Sequence, residues 1–185
     1  MRRFLFIAMA VVLLAGVTVW YVHYYLGGLD GDQPRSPWEI LQPRAEKGDI
    51  RAQYELGLLY LTSEKRRKPD YGEAYRWLKK AADTGHVPSR YALAGMIERG
   101  KGVKQDYRKA AEFYRQAASL GNYADAQFAL GQLYFDGRGV AHDYSAAFDW
   151  YTRAANQNHA AAQYLIGSMY AQGWGIKRDP IEAYK

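Results

Sequence analysis

Between Asp125 and Asn156 small and apolar residues fall at helical spacing twice over. Ala126, Leu130, Leu133 and Tyr134 come first, then Ala146, Ala147, Trp150, Tyr151 and Ala154, with Gly137-Arg138-Gly139-Val140 between them. This predicts a helix, a glycine turn and a second helix. The pattern recurs on both sides. An earlier copy pairs Leu56, Gly57 and Tyr60 with Ala74, Trp77, Leu78 and Ala81; the next pairs Leu93, Ala94 and Ile97 with Ala110, Phe113, Tyr114 and Ala117. A last copy gives Ala162, Ile166, Gly167 and Tyr170, then Gly173-Trp174-Gly175-Ile176 and Ala183, and stops at Lys185 with its second helix incomplete, an unusual place for a natural chain to end. Asp70, Asp106, Asp143 and Asp179 precede the second helices at a period of about 36 to 37 residues, the range of helical repeat arrays.

The spacing assigns most repeated positions to packing and capping. The four aspartates are N-caps. Gly48, Gly85, Gly121 and Asn158 mark the turns between copies, since glycine and asparagine tolerate the left-handed conformation. Gly57, Ala94, Gly131 and Gly167 share one first-helix position where small residues permit close approach, with Trp77, Phe113 and Trp150 expected to fill the adjoining space. Upstream, Ser36-Pro37-Trp38-Glu39 has the form of a capped helix start. Ala45-Glu46-Lys47-Gly48 matches Ala82-Asp83-Thr84-Gly85, so residues 38–47 read as a degenerate second helix capping the array, kinked or split at Pro43.

The first residues follow a different pattern. From Phe4 to Tyr25 there is no Asp, Glu, Lys or Arg, and about 22 helical residues span roughly 33 Å, enough to cross a bilayer. Arg2 and Arg3 precede this run, and Trp20, Tyr21, Tyr24 and Tyr25 cluster at its end, which predicts a cytoplasmic N-terminus with the repeats outside, most simply in a bacterial periplasm. An uncleaved anchor over residues 1–26 is favoured over a cleaved signal peptide, because the apolar run is long and no small-x-small site follows it. Residues 27–37, rich in Gly and Pro, read as a flexible tether, and the repeats as about 49–85, 86–121, 122–158 and 159–185.

Composition narrows the chemistry. The 185 residues carry a formal charge of +6, but basic and acidic residues are interspersed, which argues against nucleic acid as the partner. With no cysteine, disulfides, thiolate metal sites and cysteine nucleophiles are excluded. His86, His142 and His159 fall in turns of different copies without metal spacing, and His23 reads as an interfacial residue of the anchor. Gly137-x-Gly139 follows a helix and lacks the lysine and hydroxyl of a phosphate loop. No catalytic residue, cofactor site, metal site or small-molecule substrate is indicated. An enzyme acting on cell-wall material would need two titratable groups and a hydroxyl brought within hydrogen-bond reach.

The pattern AxxLGxLYxxGxGVxxDYxxAxxWYxxAA, written most fully by Ala126 to Ala155, resembles the Sel-one-like repeat (SLR), a relative of the tetratricopeptide repeat. The resemblance covers residues 38–185. It implies an all-α fold, a right-handed solenoid of antiparallel helix pairs, here preceded by a single transmembrane helix, and a role as adaptor or scaffold in a membrane-associated complex. An accessory subunit of an integral membrane complex is the alternative. The resemblance also implies that the first helices line the concave face, where a protein or peptide partner would sit. Variable positions there are Leu58, Gln132 and Ser168 in one column, Phe135 in the next, and Thr62, Arg99, Asp136 and Gln172 in a third. Two departures from the repeat join them as candidate contacts: the basic loop Lys65, Arg66, Arg67 and Lys68, and Trp174, read as an exposed anchor or as stacking on sequence further downstream.

Overall fold

A computed structural model describes residues 36–62 and 68–184. The chain divides into two compact units, Met1–Ile40 and Leu41–Lys185, and the repeats lie in the second. The described elements are helical: α1 (Pro37–Glu46), α2 (Ile50–Leu61), α3 (Tyr71–Asp83), α4 (Val87–Arg99), α5 (Tyr107–Leu120), α6 (Ala124–Asp136), α7 (Tyr144–Ala155), α8 (Ala160–Gln172) and a closing 3-10 turn, Glu182–Tyr184. From α2 onward each helix packs mainly on its neighbours in sequence, the arrangement of a solenoid. The anchor and most of the tether lie outside the described residues. Among the described residues, no helix is long and apolar enough to cross a membrane.

Capping explains where the second helices begin. Asp70, Asp106 and Asp143 accept the backbone N–H of Glu73, Lys109 and Ala146 at 2.9–3.0 Å, and Asp179 accepts those of Ile181 and Glu182. The backbone N–H of each aspartate also donates to a carbonyl of the helix before it, at Tyr60, Ile97, Tyr134 and Tyr170, which fastens the two helices of a repeat together. Gly139 shows how one repeat meets the last. It has φ +71°, and a Cβ there would overlap the Tyr107 carbonyl at the start of α5, so only glycine permits this backbone contact.

Three sequence expectations change. The space beside the small first-helix position is filled by Leu78 and Tyr151, not Trp77 and Trp150: a Cβ on Gly57 would lie 2.7 Å from the Leu78 side chain, and one on Gly131 would lie 2.7 Å from the Tyr151 ring. Tyr151 is buried while Trp150 is half-exposed beneath Arg153, because one residue of helix turns a side chain by about 100°. Asn122, not Gly121, takes the positive φ (46°) between the second and third repeats; Gly121 is needed because a Cβ would overlap the Val87 methyls. Helix α1 runs unbroken through Pro43.

A ladder of side-chain donors, buried at Gln53 and Gln127 and more open at Arg90 and Gln163, ties each repeat to the next. Gln53, Arg90, Gln127 and Gln163 occupy the same position of successive first helices. Each donates to a carbonyl of the preceding second helix, at Ala45, Ala82, Ala118 and Ala155. Since Ala45 takes the same place as Ala82, α1 serves as the second helix of a partial repeat.

Candidate functional site

The first helices α2, α4, α6 and α8 share one face. Leu58, Gly95, Gln132 and Ser168 lie on it. Four residues earlier, and so on the same side of each helix, stand Tyr54, Tyr91, Phe128 and Tyr164, a column absent from the variable positions picked out in the sequence. The first three are each covered by the residue capping the next first helix: Tyr54 meets His86 at 5.0 Å, Tyr91 meets Tyr123 at 5.3 Å, and Phe128 stacks on His159 at 4.5 Å. His86 and His159 are therefore N-cap residues, not turn residues. Tyr164 is 75% exposed, so an aromatic stripe along this face ends in an open ring.

The variable positions have distinct environments. Leu58 is half-buried, and the exposed Thr62 hydroxyl turns back to the Leu58 and Leu59 carbonyls. Gly95 is buried because the Arg99 guanidinium folds over it, 2.7 Å from where a Cβ would stand. Gln132 is exposed. Ser168 donates to the Tyr164 carbonyl, and with Gln172 it lines an open cavity of about 420 Å³ beside Tyr164 and Arg178. Lys65, Arg66 and Arg67 lie outside the described residues; Lys68 is exposed.

Asp136 belongs to a charged cluster. Arg138 bridges Asp136 at 2.8 Å and Glu98 at 3.6 Å, and Glu98 accepts the Tyr114 hydroxyl at 2.8 Å. Burial and the Glu98 carboxylate push the Tyr114 phenol well above its usual range.

Trp174 does not project as a free anchor. Its ring stacks on Tyr144 at 6.0 Å and meets Phe135 edge-on at 5.4 Å, leaving 38% exposed. Its place explains this. Lys101 lies over Tyr71 at 5.4 Å and Arg138 over Tyr107 at 5.3 Å, so the residue between the two turn glycines covers the first tyrosine of the preceding second helix. Trp174 makes the same contact with an aromatic ring in place of a cation. The sequence held this signal in the pairing of GxG with Asp-Tyr, one repeat apart.

A second polar group lies nearer the N-terminal part of the face. His159 Nε2 is 3.4 Å from Asp125, and Tyr123 stands two residues before Asp125 at the N-cap of α6. Burial first, then Asp125, raise the phenols of Tyr54 and Tyr91 and push Tyr123 up to about 12. Here and at Tyr114 a hydroxyl does stand among titratable groups. The shift runs opposite to what an activated nucleophile or a base at neutral pH needs. Among the described residues, no three His, Cys, Asp or Glu side chains gather in a way that would hold a metal ion.

The Sel1 repeat model matches four consecutive segments, residues 50–86, 87–122, 124–159 and 160–185, each starting at or within a residue of the first helix of a pair. The chain belongs to the Sel1 repeat family. Its Sel1 repeats are similar to those of the protective antigen c5321 of uropathogenic Escherichia coli, which displays an SLR fold, with a TM-score of 0.76 and 35% identity over 80% of this chain and 32% of that one. A Sel1 repeat protein from Oxalobacter formigenes matches with a TM-score of 0.72 and 33% identity, over 80% of this chain and 60% of that one. The mouse DAP3-binding cell death enhancer 1 is 32% identical over 96 residues, which are 52% of this chain and 18% of the relative. The Sel1 repeats described here thus span a minor part of these larger relatives, apart from the Oxalobacter protein.

Proposed function

We propose that this Sel1 repeat protein is an adaptor that holds a protein or peptide partner on the face formed by α2, α4, α6 and α8. The observation that carries the reading is the composition of that face: an aromatic stripe fixed by inter-repeat stacking, beside positions such as Gln132, Arg99 and Ser168 that differ from repeat to repeat. A fixed scaffold with a variable surface suits recognition. Support comes from the mouse relative, whose name gives it a protein partner. The reading includes a tether: residues 4–25 span a membrane as a single helix, residues 27–37 link it to the array at 38–185, and the repeats face the periplasm, where the adaptor organises an envelope complex.

Affinity capture with the intact chain from native membranes tests this. Gln132→Arg and Ser168→Arg should each reduce the recovered partner severalfold, while Glu112→Arg, on the exposed side of α5, should not. Equal loss in all three would contradict the assignment of the face. For the tether, protease added to spheroplasts should remove the repeats; repeats that survive until lysis contradict the outward orientation.

A further inference from the structure

The second repeat departs from the others at one position. The backbone N–H of Asp106 donates to the Ile97 carbonyl, as those of Asp70, Asp143 and Asp179 donate to Tyr60, Tyr134 and Tyr170, so Ile97 stands where the other three repeats carry a tyrosine. It comes two residues after Gly95, a turn of about 200°, and so lies on the side of α4 away from the proposed partner face.

The other repeats show what the tyrosine does. In the fourth, Tyr170 meets Phe148 of α7 edge-on at 5.5 Å, and in the third the Tyr134 hydroxyl accepts from Arg115 of α5 at 3.3 Å. Phe148 follows Asp143 by five residues and Tyr75 follows Asp70 by five, so Tyr75 and Ile97 hold the places of Phe148 and Tyr170. Isoleucine cannot supply the edge-on ring. A cavity of about 450 Å³ opens there instead, with the 1% exposed Ile97 as its floor and Tyr75, Val103, Lys104, Gln105 and Lys109 around it. Since a cavity of roughly 150 Å³ can hold a benzene ring, this one has room for a ring and part of the chain that carries it.

The rim adds charge. Lys104 and Lys109 are exposed, and among the described residues neither ammonium group has an ion-pair or hydrogen-bond partner. Asp106 also lines the cavity, but its carboxylate is engaged with the Lys109 backbone N–H as the cap of α5, and Gln105 is held by the Glu98 carbonyl and the Tyr107 hydroxyl. Two unpaired cations beside one engaged carboxylate favour an anion at the rim. The third repeat, which keeps its tyrosine, has Ala141 and Ala146 at the two lysine positions.

We propose that the cavity between α3, α4 and α5 is a second binding site, which takes an aromatic side chain flanked by carboxylates from a partner polypeptide. The ring enters the space that Tyr170 fills in the fourth repeat and packs against Tyr75, while the flanking carboxylates reach Lys104 and Lys109. The site goes beyond the adaptor reading and does not depend on the first-helix face.

The test is a fluorescence anisotropy titration of the full-length chain in neutral detergent at low ionic strength. The probe is a labelled peptide with one phenylalanine between two glutamates, flanked by glycines. It should bind saturably, and the same peptide with alanine for phenylalanine, or with glutamines for the glutamates, should bind at least about tenfold more weakly. Ile97→Tyr restores the residue of the other repeats, so it should fold and melt no lower than the parent while abolishing saturable binding. Lys104→Ala and Lys109→Ala, which copy Ala141 and Ala146, should each weaken binding about threefold. Lys177→Ala removes the matching lysine of the fourth repeat, where Tyr170 fills the space, and should have no effect; nor should Gln132→Arg on the first-helix face. No saturable binding by the parent, equal binding of the alanine peptide, undiminished binding by folded Ile97→Tyr, or equal loss in Lys177→Ala and Lys104→Ala would overturn the site. So would loss in Gln132→Arg alone, which would put the peptide on the first-helix face and leave the adaptor reading standing.

Discussion

Truncating Tyr151 to alanine should weaken the array more than truncating its neighbour Trp150. The Tyr151 ring is 1% exposed, presses on the α-carbon of Gly131 and lies 5.6 Å from Phe128. Glycine has no side chain to move into the gap, so a cavity remains, and loss of a buried aromatic ring costs about 3 to 5 kcal/mol. Trp150 is half-exposed, with Arg153 over its ring at 4.6 Å. Losing roughly 100 Å² of buried apolar surface there costs about 2 kcal/mol. At about 2 to 4 °C per kcal/mol for a chain of this size, Tyr151→Ala should melt about 6 to 20 °C below the parent. Calorimetry reads that shift. Hydrogen exchange shows where it acts: protection should fall first in α7 and α8, because neighbour terms couple repeats only locally. Gly131→Ala should be destabilising alone but add little in a Tyr151→Ala background, since its clash partner is gone. A Trp150→Ala variant that melts at or below Tyr151→Ala would refute the assignment of the core position.

The remaining predictions concern turns, buried amides and pH. Gly139→Ala should cost more than Gly48→Ala: both glycines have positive φ, but only Gly139 faces backbone, whereas nothing lies within 4 Å of a Cβ on Gly48; urea melts of the two variants compare them. Gln127 donates to the Ala118 carbonyl and to Asn122 and accepts from Gln157, so Gln127→Ala should lose about 1 to 3 kcal/mol, against less than about 1 kcal/mol for the exposed Gln163→Ala, by the same melts. Burial lowers the pKa of His86 below its usual 6.5, so below that pH the unfolded chain takes up a proton that the folded chain resists. Stability should fall as pH drops through 6.5 and level off below the folded pKa. A His86→Asn variant should lose that part of the slope in melts between neutral and mildly acidic pH.

The repeat architecture was legible in the sequence because it rests on residues with few alternatives. An aspartate before a helical run caps it, and Asp70, Asp106 and Asp143 do so with nearly the same geometry. What was not legible turned on single-residue register. Trp150 and Tyr151 are adjacent aromatics, and only the angle of α7 against α6 decides which faces Gly131. Gly121 and Asn122 both suit a left-handed turn, and the decision falls to Val87, a contact from a different repeat. The functional face was half legible. Gln132 and Ser168 stood out as variable, but Tyr54 and Tyr91 did not, because a repeated aromatic reads as core. Tyr123 left one clue, an aromatic where a cap belongs. Trp174 is exposed, and its stacking on Tyr144 was not legible because that partner lies one repeat upstream. The basic loop at Lys65, Arg66 and Arg67 lies outside the described residues, so its contribution to binding rests on the salt dependence of the captured complex.

The central claim is that the partner sits on the first-helix face. A photo-crosslinking residue placed singly at Gln132 and at Glu112 in the full-length chain, irradiated in native membranes, tests it most directly. Adducts to the same protein from Gln132 and none from Glu112 are the expected result; adducts from Glu112 alone would contradict it.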